Sequence, residues 1–474
     1  MGFKDLREFI KCVENLNELR HVKGASCDIE IGAITEVAAA SPACPMPLFD
    51  DIKGCKQGFR VVTNLLHTES RLAIALGKSS DIKGLELVKV LKEMRTKLTG
   101  GSPPVGVNDG PVRENIVKGK DVNILDLPAV KWHKLDGGPY FTGGVTIIRD
   151  PEEGWVNLGI YRLQIQDSST LSLHMEPGKH GQLIAQKYWD RGESCPVAIS
   201  LGHMPALYIA GTLTVPWGLS EYDIAGQLND APIEVIKGDL TGLPVPATAE
   251  VVLEGEAPPP DLESRIEGPW GEATGYYASE PIPKPVIKVK SVMYRSNAII
   301  QGAPPMKPLT GLKHFPVNLR CATMWSDLEQ CGISDIKGVW EHVTGLMVIS
   351  LKQRYAGHSK QAALIARGSR SSILARFIVT VDEDVDPCNI EEVMWAITTR
   401  CNPERNIEII RECWSEAIDP MLLPQQIARK DNTTEKVIIN ACKPIYREEP
   451  FPITSGASSE LKAEIIKKWG DIIK

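Results

Sequence analysis

The chain has 474 residues, 43% of them hydrophobic and 24% charged, with a formal net charge of -7. That length exceeds one ordinary core and predicts two or three domains, and the balance is that of a globular protein in water. The acidic balance, without a Lys/Arg-rich stripe, argues against nucleic acid as a partner, and no apolar run reaches the roughly 18–20 residues of a membrane span.

Charges at Lys4, Asp5, Arg7 and Glu8 break up the first residues, so no secretory signal is expected. Leu6 stands where a myristoylation motif after Gly2 needs Ser or Thr. Leu6, Phe9, Ile10, Val13, Leu16 and Leu19 recur at helical spacing and predict an amphipathic first helix. A strand leading into a short helix is expected over residues 28–36, and a strand over 59–65. Gly- and Pro-rich text at 100–111 reads as a linker. Residues 143–149, 155–165, 197–202, 206–213, 249–256 and 286–294 are short β-like runs between turns, which predicts a barrel or sandwich in the centre. Beyond Leu312 helices and strands alternate. Apolar, β-branched runs at 345–351 and 377–381 suit a covered sheet, and 390–400 is a helix with Val393, Met394, Ala396 and Ile397 on its apolar side. A last amphipathic helix over 458–473 offers Leu461, Ile465, Ile466 and Trp469 for docking on the body or on another subunit. Eleven cysteines without a Cys-x-x-Cys pair predict reduced, mostly buried thiols rather than a zinc site or disulfide framework, and hence a cytoplasmic location.

The chemistry concentrates in a few segments. Arg265-Ile266-Glu267-Gly268-Pro269-Trp270-Gly271-Glu272 places two carboxylates five residues apart around a Gly-Pro-aromatic-Gly turn. Glycine and proline exclude a helix, so Glu267 and Glu272 are expected on a rigid loop, suited to acid–base work if their pKa values are held apart. An ordinary surface turn is the competing reading. Trp155 to Arg162 reads as a strand on which Asn157 and Gly159 share a face and Arg162 takes the other, unless the chain kinks at Gly159. Met175 to His180 is a turn delivering Lys179 and His180, and Ser220-Glu221-Tyr222 adds an acid. An Asn carbonyl, a His nitrogen and a Glu oxygen suit Mn2+ or Mg2+. No spacing forces Asn157, His180 and Glu221 together, and a histidine after Gly-Lys is compatible with a plain surface residue.

In order and spacing these motifs resemble the UbiD family of decarboxylases dependent on prenylated FMN. The resemblance rests on Asn157-x-x-x-x-Arg162, His180 eighteen residues past the arginine, Ser220-Glu221-Tyr222 and Glu267-Gly-Pro-Trp-Gly-Glu272. Gly137-Gly138-Pro139-Tyr140-Phe141-Thr142, Gly357-His358-Ser359-Lys360 and Trp395-Ala396-Ile397-Thr398-Thr399-Arg400 extend it along the chain.

The resemblance implies a mixed α+β and α/β fold. A central split β-barrel of flavin reductase-like type at 113–310 would bind the flavin, flanked by an N-terminal α/β domain at 1–112. A C-terminal α/β oligomerisation domain at 311–455 and a docking helix at 456–474 would follow. Arg162, Glu267 and Glu272 would form the catalytic network. Asn157, His180 and Glu221 would bind Mn2+ or Mg2+, with K+ close by. Thr142, Ile160, Tyr161, Arg162, Lys179, Gly211, Thr212, Leu213 and Lys360 would join that trio around the prenylated FMN. Two departures leave contacts open: Lys179 where relatives often carry Gln, and the segment Gly211-Thr212-Leu213-Thr214, where relatives can carry Ser and Met.

The implied reaction is non-oxidative, reversible decarboxylation of an aromatic, hydroxybenzoate-type acid through a covalent adduct with prenylated FMN, with CO2 as product. A flavin prenyltransferase would supply the cofactor, and the chain would form a homo-oligomer, a dimer or hexamer. Arg162 would hold the substrate carboxylate as a bidentate pair, Glu267 would stay ionised, and Glu272, its pKa raised, would protonate the carbanion. Lys307, Lys313, His314 and Arg320 are candidate contacts for a phenolate or second carboxylate, or members of a solvated loop. A furan or heteroaromatic dicarboxylic acid, and phenol carboxylation, stay open as alternatives. A metal-dependent hydrolase or phosphatase would use the same ligand types without flavin. A non-catalytic flavin-binding subunit is disfavoured, because the arginine and both acids are present.

Overall fold

A computed structural model describes residues 2–97, 101–213, 215–278, 280–307, 315–445, 447 and 449–473. Thr214, Lys313 and His314 lie outside the described residues.

Asp5 caps the helix Leu6–Asn15 by accepting from the Glu8 amide, and Leu6, Phe9, Ile10 and Val13 are buried. Leu16 falls outside as the C-cap and Leu19 opens the strand Leu19–Lys23, so the expected helix stops short of both. The strand expected near residue 28 is absent. Ile29 takes φ 71° and leads directly into the helix Glu30–Ala40, whose alanines favour that state. The strands Leu19–Lys23, Met46–Asp50, Phe59–Val62 and Ala298–Gln301 form a four-stranded sheet in that order. The chain therefore returns to its first sheet after building the centre. The 100–111 stretch is partly structured, since Val105–Gly106 pairs in parallel with Glu234–Lys237.

The centre is a ten-stranded sheet. Along its main path run Tyr140–Phe141, Arg162–Ile165, Thr170–His174, Ile282–Tyr294, Val251–Ala257, Cys195–Leu201, Val145–Arg149 and Val156–Ile160. Ser264–Glu267 and Asn115–Lys118 also pair with the long strand Ile282–Tyr294. Val156–Ile160 is one edge of this path, and Arg162–Ile165 lies one strand from the other edge, yet only Tyr161 separates them in sequence. The sheet must curl until its two margins meet at Tyr161, and it becomes a barrel split at that point. The strand is thus interrupted at Tyr161 and runs unbroken through Gly159, the residue that could have permitted a kink.

Residues 206–213, expected as a strand, form the helix Pro205–Thr212, with Pro205 in the first turn and Ala206, Leu207, Ile209 and Ala210 buried. A short apolar run carries no period that separates a buried strand from a buried helix; the proline at the first helical position was the informative residue.

The C-terminal sheet runs in the order Ile336–Val343, Leu346–Leu351, Phe377–Asp382, Thr433–Asn440 and Ile407–Trp414. The helix Ile390–Arg400 buries Val393 and Ala396 but leaves Met394 48% exposed, contrary to its expected place on the apolar side. Arg400 is buried against Asp382 and Asp384 at 3.1 and 2.9 Å, so that motif serves the fold. The helix Ser459–Ile473 exposes Leu461, Ile465, Ile466 and Trp469. All eleven cysteines are free, but only Cys44, Cys195, Cys321 and Cys442 are buried, which corrects the expectation of mostly buried thiols. Among the described residues no helix is long and apolar enough to cross a membrane.

Candidate active site

The site begins with an antiparallel pair. Arg162–Ile165 and Thr170–His174 set Arg162 opposite His174 and Gln164 opposite Ser172. Period-2 alternation sends Leu163, Ile165, Leu171 and Leu173 into the core and leaves Arg162, Gln164, Ser172 and His174 on the other face. That polar face receives the acid-bearing loop. Gln166 Nε2 donates to the Ile266 carbonyl at 3.0 Å, and Gln164 Oε1 accepts from the Gly268 amide at 3.0 Å. The Gly137 amide donates to the Pro269 carbonyl at 2.8 Å, and a Cβ on Gly137 would run into the Gly268 carbonyl. Beyond the turn, the Glu272 amide donates to the Tyr276 carbonyl at 2.9 Å. Tyr277 Oη donates to Asp136 at 3.0 Å, and Thr274 reaches the Ile418 carbonyl of the C-terminal region at 3.3 Å.

Arg162, Glu267 and Glu272 converge. Arg162 Nε and Nη2 donate to the two oxygens of Glu267 at 2.8 and 3.0 Å, and Nη1 donates to Glu272 Oε1 at 2.7 Å. The bidentate edge of the guanidinium therefore faces Glu267. The edge shared with Glu272 remains for an incoming anion. Trp270 lies 5.8 Å from the guanidinium carbon and 4.3 Å from the Tyr140 ring. Both acids are buried, Glu267 at 2% and Glu272 at 7% exposure. Burial pushes the Glu267 carboxyl upward, but its contacts with His174 and Arg162 and the guanidinium charge outweigh it and hold the group at about 2. Glu267 is thus ionised at neutral pH. Burial disfavours the Arg162 cation, and the two acids overcome that effect and raise its pKa.

His174, which local motif reading missed, stands inside this cluster. Its Nδ1 is 3.0 Å from Arg162 Nη2 and 3.3 Å from Glu267 Oε2, and its Nε2 is 2.6 Å from Glu176 Oε1. The alternation Thr170, Ser172, His174 was the available signal, but it becomes informative only once the cross-strand register is known.

A second cluster surrounds the strand Val156–Ile160, against which the helices His180–Trp189, Pro205–Thr212 and Glu221–Leu228 all pack. Ser220 caps the last of these and its hydroxyl also donates to the Val156 carbonyl at 2.6 Å. That ties Glu221 to the strand. Glu221 accepts from Asn157 Nδ2 at 2.8 Å and from the Leu158 amide at 2.7 Å. Burial raises its pKa to about 7. His180 opens its helix with its ring edge-on to Trp155 and Trp217, at 5.7 and 5.2 Å. Burial and the neighbouring Lys179 and Arg370 lower its pKa, which keeps it neutral. Among the described residues no hydrogen bond joins His180 to Asn157 or Glu221.

The donor chemistry fits a hard cation. Among the described residues, Asn157 Oδ1 is buried without a hydrogen-bond partner, and the buried Glu221 carboxylate is met only by neutral donors. An orphaned carbonyl, an uncompensated carboxylate and a neutral imidazole are the ligand types a Mn2+ or Mg2+ ion takes. Among the described residues no three His, Cys, Asp or Glu side chains gather round one point, so this set depends on the Asn157 carbonyl.

The remaining cofactor candidates divide. Tyr161 packs over Gly159 and Gly181, where a Cβ on either would strike its ring. A Cβ on Gly211 would sit 3.2 Å from Ile160, so the helix carrying Gly211, Thr212 and Leu213 meets the same strand. Thr142 Oγ1 accepts from the Ala303 amide at 2.9 Å. Lys179 is the N-cap residue of the His180 helix. Lys360 is on the helix His358–Gly368, with its ammonium paired to Glu408 of the C-terminal sheet. Of the candidate substrate contacts, Lys307 is exposed and Arg320 is engaged by Glu341 at 2.7 Å.

Comparison with known proteins agrees with this architecture. Models of the 3-octaprenyl-4-hydroxybenzoate carboxy-lyase N-terminal, Rift-related and C-terminal domains match residues 10–91, 104–308 and 318–441. A phenolic acid decarboxylase of Escherichia coli O157:H7 is 30% identical, over 94% of this chain and 93% of its own. The vanillic acid decarboxylase of Sedimentibacter hydroxybenzoicus in open form superposes with a TM-score of 0.85 at 27% identity, covering 99% of this chain and 100% of that one. An evolved dimeric form of the UbiD-class enzyme HmfF from Pelotomaculum thermopropionicum, solved with prFMN, gives a TM-score of 0.82 at 26% identity over 100% and 99% of the chains. With all three domain models matched in order along most of its length, the chain belongs to the UbiD family.

Proposed function

We propose that the protein is a non-oxidative carboxy-lyase that releases CO2 from an aromatic acid of phenolic, hydroxybenzoate-like type with the help of bound prenylated FMN. The observation that carries this reading is the Arg162 guanidinium held between an ionised Glu267 and Glu272 on one rigid loop. Loss of CO2 from an sp2 carbon leaves electrons that no side chain stabilises, and prenylated FMN supplies that sink when bound. Asn157, His180 and Glu221 would hold its phosphate through Mn2+ or Mg2+, with K+ as the accompanying ion. Thr142, Ile160, Tyr161, Gly211, Thr212 and Leu213 would line the flavin.

In this reading the substrate carboxylate docks on the Nη1 edge of Arg162 and displaces Glu272 from it. Glu267 keeps its two hydrogen bonds and holds the guanidinium still. Glu272, released from the arginine, takes up a proton from solvent and delivers it to the carbon that loses CO2. The phenolic relatives favour a ring hydroxyl on the substrate, and at high CO2 the same groups would serve carboxylation. A flavin prenyltransferase would supply the cofactor. The apolar residues exposed on Ser459–Ile473 support a homo-oligomer, and a cytoplasmic location and a division at 112, 310 and 455 complete the proposal.

Co-expression with a flavin prenyltransferase tests it, followed by a visible spectrum and a CO2-release screen over hydroxybenzoates, vanillate and furoates. The expected result is flavin absorbance and release from at least one phenolic acid. Flavin absorbance missing, together with no release from any acid, transfers the assignment to the hydrolase reading.

A further inference from the structure

We infer that His174 is a positioning residue that decides which edge of Arg162 a substrate carboxylate meets; the inference rests on the carboxy-lyase reading above. His174 lies directly across the strand pair from Arg162. Its Nδ1, Arg162 Nη2 and Glu267 Oε2 form a triangle with sides of 3.0, 3.0 and 3.3 Å. On its far side Nε2 meets Glu176 at 2.6 Å. The imidazole side chain is 12% exposed, whereas the Glu176 side chain is 52% exposed.

The hydrogen count gives the geometry its meaning. A guanidinium has five N–H bonds in a fixed fork. With Nε2–H donating to Glu176, the Nδ1 lone pair accepts from Nη2, whose other hydrogen goes to Glu267. Nε is also committed to Glu267, and Nη1 donates to Glu272. Four of the five N–H bonds are therefore used by this chain, and only Nη1 has a hydrogen left. An incoming carboxylate can replace Glu272 at Nη1 but is denied Nη2. Without His174 the Nη1–Nη2 edge opens to a two-point grip. The carboxylate then binds more tightly, but rotated away from the orientation in which Glu272 and the reacting carbon face one another.

Three variants separate this role from simple packing. Asn at 174 keeps polar atoms at the level of Nδ1, Gln keeps them near Nε2, and Leu keeps neither. In the cofactor-loaded enzyme, H174L and H174Q are expected to lower kcat at least ~30-fold while KM falls about threefold or more, a split a damaged fold does not produce. H174N is expected to recover at least ~10-fold of the lost kcat. Calorimetry with vanillate on cofactor-free protein reads the same effect without turnover: H174L and H174Q bind about threefold or more tightly than wild type, and H174N does not. Equal behaviour of H174N and H174Q, or weaker vanillate binding with unchanged melting temperature, overturns the inference. If the wild type releases no CO2 from any acid, the carboxy-lyase reading fails, and the calorimetric comparison still decides the role of His174.

Discussion

Replacing Arg162 with lysine tests the geometry of the site apart from its charge. The guanidinium donates to Glu267 at 2.8 and 3.0 Å and to Glu272 at 2.7 Å, and approaches His174 at 3.0 Å. A lysine ammonium keeps the positive charge beside the two buried acids, so neither is left without a cation. It is a single point on a flexible stem, however, and cannot reach Glu267 through two atoms while also presenting a donor toward Glu272. At least two charge-assisted hydrogen bonds are lost or misdirected, each worth about 1.5–3 kcal/mol, or about 3–6 kcal/mol together. If most of this is expressed in the transition state, kcat/KM falls by about 10²–10⁴. The assay is CO2 release by wild type and R162K at equal flavin loading, read from the visible spectrum, with melting temperature as the folding control. R162K within tenfold of wild type at equal loading would show that charge alone suffices and would refute the argument from the fork.

Three further outcomes follow from the same geometry. Glu272→Gln keeps the shape of the loop but removes the proton, so kcat should fall by about 10²–10⁴ with KM nearly unchanged; normal deuterium incorporation from D2O into the product would exclude Glu272 as the donor. Glu221→Gln should lower Mn2+ retention at least ~100-fold and strip the flavin with it, whereas metal content equal to wild type by elemental analysis would remove Glu221 from the ligand set. Glu267, held at about 2 in the fold, lies below its unfolded value of about 4.3. Its contribution to stability is therefore complete above that unfolded value and is lost as pH falls toward 2. The melting-temperature gap between wild type and E267Q should narrow from pH 6 to pH 2.5, and a constant gap would contradict the ion-pair account.

What was legible in the chain tracks how local the determining physics is. The first helix follows from its own spacing and from the Asp5 cap. The loop carrying Glu267 and Glu272 follows from Gly268, Pro269 and Gly271. Residues 206–213 were misread because an apolar run of that length has no period, and Pro205 alone marked the helix. The contact between Asn157 and Glu221 spans 64 positions and depends on a helix docking on the barrel edge; motif order suggested it, and no local rule requires it. His174 was invisible for a similar reason. Its partner Arg162 is twelve positions away on a neighbouring strand, and only the register of that pair sets them face to face. The join at Tyr161, which brings the strand of Asn157 and the strand of Arg162 together, is likewise a property of the closed sheet.

A crystal structure of the protein reconstituted with prenylated FMN and Mn2+ tests the central claim most directly. The account predicts one ion touching Asn157 Oδ1, His180 and Glu221 at about 2.0–2.4 Å together with the cofactor phosphate, and a flavin ring extending from it to the Nη1 edge of Arg162. An ion bound elsewhere, or a ring that leaves Arg162, Glu267 and Glu272 facing a separate cavity, would contradict it.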